Sequence, residues 1–260
     1  VFELWYNSSG GQGAPLSKYN KSTRNSIMPI VISNPASIGD PLWNDVVLLM
    51  HMDGTNGSTT FIDEKGHSPV AHSDAKISTT QQKFGSASAN FDGGDDNVSI
   101  VDSTDWNLSG DFTIEFFARW SSVSSEFDVL FGQSNIVTTF APIRIDFFDG
   151  DMQLLVSSDA TSWGINSGSV TAGIVINTWY HIAVTRSGNV WKMFVDGVEI
   201  YTTTVSITPY DSSNDLKIGG NGSSTPSHSM NGYIDELRVT KGVSRYNSNF
   251  TPPTEAFPNN

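Results

Sequence analysis

Residues 177–200 read NTWYHIAVTRSGNVWKMFVDGVEI. Two runs rich in apolar and aromatic residues are separated by a short polar break, and the second ends at an Asp-Gly pair. In an extended strand, successive side chains point to opposite faces. WYHIAVTR therefore puts Trp179, His181, Ala183 and Thr185 on one face and Tyr180, Ile182, Val184 and Arg186 on the other. Asp196-Gly197 fits a two-residue hairpin turn, whose central residues need positive φ; Gly takes it freely and Asp more readily than most. Residues 177–203 are thus expected to form three consecutive antiparallel strands.

The same grammar extends outward. VVLLMHM (46–52), DFTIEFFARW (111–120), PIRIDFF (142–148), MQLLVSS (152–158) and GYIDELRVT (232–240) read as strands between clusters of Gly, Asn, Asp and Ser. DGDM (149–152) reads as a second tight turn. Apolar spacing at i, i+3, i+4, i+7 is not sustained beyond two helical turns. Many short strands punctuated by turns predict an all-β sandwich or barrel. Trp120, Trp179 and Trp191 lie on strands and are expected in its core.

The length of 260 residues suits one large β domain with an appendage. Hydrophobic residues are 37%, and seven Trp with fifteen Phe are enough to build a substantial core. The formal net charge is -13, from 27 acidic and 14 basic residues. A phosphate-binding surface needs clustered Lys and Arg, so nucleic acid is excluded as a partner. Acidic loops suit divalent cations better. The absence of Cys excludes a disulfide scaffold and a thiolate metal site. No apolar run approaches the ~20 residues of a membrane helix, so no membrane insertion is expected. No signal peptide pattern is visible, and the start at Val1 reads as processed or truncated.

Residues 1–42 are polar, Gly-rich and mildly basic, and read as an arm or the remnant of a preceding domain or linker. Within them IMPIVISN (27–34) is an expected strand, with Pro29 favouring an edge. The tail TPPTEAFPNN reads as an extended, Pro-stiffened exit. Linker-like stretches at both ends suggest one bead of a longer string.

Six segments in order now carry a family resemblance: NDVVLLMHMDGTNGSTTFIDEKG, KFGSASANFDGGDDNVSI, GDFTIEFFARW, NTWYHIAVTRSGNVWKMFVDGVEI, LKIGG and GYIDELRVTKGVSRYNSNFTPP. Together, over residues 43–257, they resemble the concanavalin A-like lectin/glucanase superfamily, specifically the laminin-G-like jelly rolls of bacteriophage tail and fibre proteins and bacterial surface proteins. The resemblance implies a two-sheet antiparallel jelly-roll sandwich in which VVLLMHM pairs with IDELRVT and brings the chain ends close. Trp106 resembles a position that packs a loop onto the sandwich. The fold hosts lectins, enzymes and spacers alike, so function has to be argued from sites.

Three chemistries are weighed. Some relatives hydrolyse β-glucans with carboxylates spaced Glu-x-Asp-x-x-Glu on one strand. No such triplet occurs here: Asp146, Asp149 and Asp151 break parity, and Asp235 and Glu236 are adjacent and expected to diverge. A lyase would need a Tyr/His pair, but Tyr180 and His181 also diverge. No catalytic residue is assigned. Calcium is the second chemistry, because many relatives hold it near the chain ends. Ca²⁺ takes six to eight oxygens; Asp53 and Asn56 after the first strand and Asp235 on the last are the expected ligands, with loop carbonyls completing the shell. The alternative is that Asp53-Gly54 is only a turn and Asp235 an ordinary strand residue. Asp92, Asp95, Asp96 and Asn97 read as a solvated turn. The third chemistry is sugar recognition: Trp163 in SSDATSWGINSGS and Tyr210 in SITPYDSSND lie on polar loops, where an aromatic with a polar tip suits an interface. With Asn166 they are the candidate ligand contacts; loop anchoring and a subunit contact are the alternatives for Trp163.

The expectation is a non-catalytic carbohydrate-binding or adhesion module from a phage tail fibre, virion surface or bacterial surface assembly, extracellular or on the virion. Its partners would be a host or surface polysaccharide and sister subunits, as a homotrimer by analogy with fibres. The competing reading is a structural decoration or spacer; a polysaccharide hydrolase or lyase ranks last.

Overall fold

The computed structural model describes residues 39–123, 126–133, 140–222 and 228–260. The chain divides into two compact units, Val1–Ala36 and Ser37–Asn260. The first, with the strand expected at 27–34, lies outside the described residues.

The described strands are numbered in chain order and form two eight-stranded antiparallel sheets. The first sheet contains β1 (Val46–Met50), β3 (Lys76–Ser78), β4 (Ser88–Asp92), β6 (Phe112–Trp120), β12 (Tyr180–Ser187), β13 (Val190–Val195), β14 (Val198–Thr204) and β16 (Asn231–Lys241). The second contains β2 (Val70–His72), β5 (Asn97–Ile100), β7 (Asp128–Gly132), β8 (Ile143–Phe148), β9 (Asp151–Val156), β10 (Ile165–Asn166), β11 (Val170–Thr171) and β15 (Leu216–Ile218). The strand order is β14-β13-β12-β6-β16-β4-β3 in the first sheet and β10-β9-β8-β7-β15-β5-β2 in the second. Two short 3₁₀ turns, Trp43–Asp45 and Thr104–Trp106, accompany them.

The expected meander is β12-β13-β14. Asp196 at φ 47° and Gly197 at φ 74° make its tight turn, and Asp149 (48°) with Gly150 (89°) does the same between β8 and β9. Both turns have positive φ at each central residue, which matches the right-handed twist of the flanking strands. Gly197 has a second reason to be Gly: a Cβ there would run into the backbone oxygen of Phe250.

The core lies between the sheets. Ile114, Phe116 and Trp120 of β6, Ile182 and Val184 of β12 and Trp191 of β13 meet Ile145 and Phe147 of β8 and Leu154 of β9. Trp120 stacks on Phe147 at 4.3 Å between ring centroids. Each fully buried large apolar side chain contributes roughly 1.5–3 kcal/mol. Trp179 departs from expectation. It is half-buried in a smaller cluster with Phe117, Leu49 and Phe257, away from the main core. Its parity was read correctly: it shares the face of His181, which is the outward face of the first sheet.

β16 organises that sheet. It pairs with β6 on one side; on the other, β4 covers its first half and β1 its second. At the handover the register with β6 shifts between Asp235 and Arg238, and Glu236 takes φ 51°. This bulge removes Glu236 from the alternation. It lets Ile234, Leu237 and Val239 all reach the core while Arg238 and Thr240 face outward. The first and last described stretches also meet: the Asp40 amide donates to the Asn260 carbonyl at 2.7 Å.

Candidate functional sites at the strand handover and on the two outward faces

Asp53 leaves β1 and Asp235 sits at the bulge of β16, and both reach the 83–87 loop. Asp53 Oδ1 accepts from the Ser86 amide (2.5 Å), the Ser86 hydroxyl (2.9 Å) and the Ala87 amide (3.0 Å). Asp235 Oδ2 accepts from the Lys83 (2.7 Å) and Phe84 (3.1 Å) amides. Gly85 lies against Asp53, and a Cβ on it would run into that carboxylate. Asp235 Oδ1 is buried without a hydrogen-bond partner. Burial pushes the Asp235 carboxyl up to about 7; the two loop amides oppose this, and the charges of Glu236 and Asp53 add to it. Next to it, Glu236 holds His51 Nδ1 with both oxygens, at 2.9 and 3.0 Å, and accepts from the Phe257 amide. The hydrogen bond to Glu236 raises the His51 pKa.

Two of the three expected calcium ligands are therefore brought to one loop. Asn56 is directed elsewhere: its Oδ1 accepts from the Thr79 amide at 3.1 Å. Among the described residues no three His, Asp or Glu side chains are grouped as metal ligands. Asp53 and Asp235, the latter with one orphaned oxygen, still offer the carboxylate oxygens that a hard cation takes. The second acidic loop differs from its reading as a solvated turn. Asp92 is exposed, but Asp96 is buried and accepts the amides of Asp74 and Asp92, both at 2.7 Å, so it braces the loop from inside.

The expected sugar contacts gather at one end of the second sheet. The half-buried Trp163 ring meets Phe140 edge-on at 4.9 Å and lies 5.3 Å from the Arg144 guanidinium. Tyr210 donates its hydroxyl to the Phe140 carbonyl at 2.6 Å. Asn166 is exposed on β10, and its Oδ1 accepts from Gln153 Nε2 at 3.0 Å. Gln153 pairs with Asp146 across β8 and β9, and Asp146 accepts from Arg144 Nε at 2.9 Å. These side chains adjoin on the outward side of the second sheet, where Arg144, Asp146 and Gln153 are buried and Asn166 is exposed. Arg144, which ties the aromatic half to the amide half, carried no signal in the sequence beyond its parity on β8.

The outward face of the first sheet holds a polar network that sequence reasoning did not anticipate. Arg238 donates to Glu115 Oε1 through Nε (3.0 Å) and Nη2 (2.8 Å), and to Asp40 Oδ2 through Nη1 (2.9 Å). Arg245 also holds Asp40, and Tyr246 donates to Glu115 Oε2 at 2.8 Å. His181 Nε2 lies 3.2 Å from the same Oε2. Burial raises the Glu115 pKa, but Arg238, His181 and Tyr246 outweigh it and hold the carboxyl at about 2. Glu115 and His181 are fully buried under the C-terminal segment, so this network is structural. Tyr180 faces away from it and accepts the Val175 amide at 3.0 Å, so the Tyr180/His181 pair is divided as expected.

The match to known families agrees with this architecture. Residues 92–244 match the family model described as concanavalin A-like lectin/glucanases superfamily, over more than half of the chain. The chain belongs to that superfamily. A search of curated proteins finds no relative of comparable sequence. Among solved structures, this lectin/glucanase domain is similar to the binding domain of Paraclostridial Mosquitocidal Protein 1. The TM-score there is 0.57 at 14% identity, over 78% of this chain and 50% of the other. It is also similar to Trypanosoma rangeli sialidase, with a TM-score of 0.56 at 12% identity over 77% of this chain and 31% of the sialidase. Domain 4 of AbnA, an extracellular arabinanase from Geobacillus stearothermophilus solved with arabinotriose, gives a TM-score of 0.54 at 16% identity, over 76% and 93% of the two chains. The chain thus spans about half of the toxin binding domain and about a third of the sialidase. At these identities the likeness concerns the fold. Among the described residues no helix is long and apolar enough to cross a membrane.

Proposed function

We propose that this chain is a non-catalytic carbohydrate-binding and adhesion module of a phage virion (tail fibre or surface) or a bacterial surface assembly, working outside the cell. The observation that carries the reading is the convergence of Trp163 and Asn166, three residues apart, with Tyr210 from a distant loop, at one outward end of the second sheet beside Arg144 and Gln153. An aromatic face beside amide and guanidinium donors is the chemistry that recognises a sugar ring and its hydroxyls. Binding domains and an arabinotriose-bound domain among the structural neighbours support it. The strongly perturbed carboxylates Glu115, Asp128, Asp146 and Asp235 are all buried, which suits structure better than glycoside hydrolysis.

Calcium belongs to the same proposal. Asp53 and Asp235 would hold it, with the unpartnered Oδ1 of Asp235 as a ligand, and its charge would fix the 83–87 loop. Calcium then raises thermal stability, and Asp235→Ala abolishes the difference between calcium and chelator in a melting experiment. Equal melting of the wild type in both conditions overturns the metal.

The deciding experiment is a polysaccharide array probed with a multimerised form of the whole chain, since avidity reveals weak sites. Selective retention that falls at least tenfold in Trp163→Ala, about 1.4 kcal/mol, is the expected result. A second reading, a spacer contacting sister subunits as a trimer in a fibre, is favoured by the meeting of Asp40 and Asn260, which suits a bead in a string. Silence on the array, with assembly weakened by Trp163→Ala, selects it.

A further inference from the structure

The strand register aligns Ser99, Lys217, Gly132, Arg144, Leu155 and Asn166 straight across the second sheet, one residue per strand from β5 to β10. Cross-strand partners share a face, so the row runs along the outward side. Gly132 is the one position in it without a side chain, and it separates two cations whose backbones are about 10 Å apart, two strand spacings. Their surroundings differ. Arg144 is bound to Asp146. Lys217 is half-buried and takes part in none of the ion pairs among the described residues. Its Nζ lies 3.5 Å from Asn97 Oδ1, at the limit of a hydrogen bond.

A second base stands beside it. His72, exposed on the edge strand β2, places Nε2 2.7 Å from the hydroxyl of Ser99, the cross-strand partner of Lys217. Burial lowers the pKa of both bases, and the Lys217 charge lowers that of His72 further; Asp215 pulls both the other way. Asp215 is the acidic group whose charge acts on both bases, but neither base forms an ion pair among the described residues, so the pair lacks a contacting counter-charge. A sugar carboxylate supplies one and accepts from both Nζ and the Ser99 hydroxyl.

We infer that Lys217, with His72 and Ser99, is a subsite for the carboxylate of an acidic sugar. The inference rests on the reading of this face as a carbohydrate site and names the class of glycan.

The test is a titration of the folded full chain with glucuronate, with glucose as neutral control, followed by NMR of the His72 ring. A saturable shift with glucuronate, none with glucose, and its loss in Lys217→Gln but retention in Lys217→Arg are expected. No shift, or a shift that survives Lys217→Gln, overturns the subsite. An equal response to inorganic sulfate at the same concentration overturns its assignment to a sugar. A retained polysaccharide is then compared with its carboxyl-reduced form. At least tenfold weaker retention is expected; equal retention overturns the acidic subsite while leaving carbohydrate binding intact. A glucuronate response without retention of any polysaccharide breaks the broader reading instead and leaves the subsite standing.

Discussion

The two outward faces of this sandwich are built from similar residues and covered to different extents. On the first sheet, Glu115, Arg238 and His181 are sealed beneath the chain's own C-terminal segment. Thr113 donates to the Val243 carbonyl, Thr185 to the Tyr246 carbonyl, and Phe257 covers the Arg238 guanidinium at 3.8 Å. On the second sheet Arg144 and Asp146 are likewise buried, yet the row through Arg144 ends in a residue open to solvent, Asn166, with exposed His72 beside its other end. Charge is buried on both faces, but only the second sheet leaves polar residues at the ends of the row open to solvent. The residue types alone do not distinguish the cases; the cover does.

The largest effect that sharpens this contrast is expected from Glu115→Ala. Removing one partner from a buried ionic network costs about 3–5 kcal/mol, measurable by urea denaturation, with glycan retention per folded molecule unchanged. A loss below ~1 kcal/mol, as for a surface pair, would mean that the C-terminal segment does not seal the network.

A smaller effect separates two buried carboxylates by the sign of their pH dependence. Glu115 is compensated and titrates at about 2, below its ordinary 4.5, so its contribution is present above 4.5 and is lost as pH falls toward 2. Asp128 is buried without an ion pair among the described residues. Burial, and then the charge of Asp146, push it up to about 8 from 3.8. Its contribution is present at low pH and is lost as pH rises from about 4 to about 8. Asp146, raised by burial to about 6 despite Arg144, acts in the same direction. Asp128→Asn should therefore flatten the decline of stability with rising pH in denaturation series, and an unchanged slope would refute it. The smallest expected change is the stability of Trp163→Ala, within about 1 kcal/mol of wild type, because this ring is only half-buried at the sheet's rim.

Much of this was legible beforehand, and the reasons are local. Asp149-Gly150 and Asp196-Gly197 announce hairpins because few residue pairs tolerate two positive φ values in succession. Alternation placed His181 and Tyr180 on opposite faces correctly. The fold follows from such signals in series. What escaped was whatever depends on residues distant in sequence. The bulge at Glu236 defeats simple alternation in IDELR, since parity cannot reveal an inserted residue. Trp179 looks like a core residue until the C-terminal segment supplies a second, smaller cluster on the outward face. Asp96 reads as one of several loop carboxylates, and only the fold shows that it is the one turned inward. Lys217 and Arg144 lie 73 positions apart by their numbering, and only the β15-β7-β8 register sets them in one row.

The contact between Asp40 and Asn260 has a mechanical meaning. A pull applied at these two residues acts on a point where the chain enters and leaves together, so it peels bonds one after another and does not shear many at once. The clasp opens first and the segment over the first sheet follows, exposing Arg238, Glu115 and Asp40 to water before any strand of the second sheet bears load. Under tension the module would lengthen by shedding its cover, with the row from Ser99 to Asn166 still assembled.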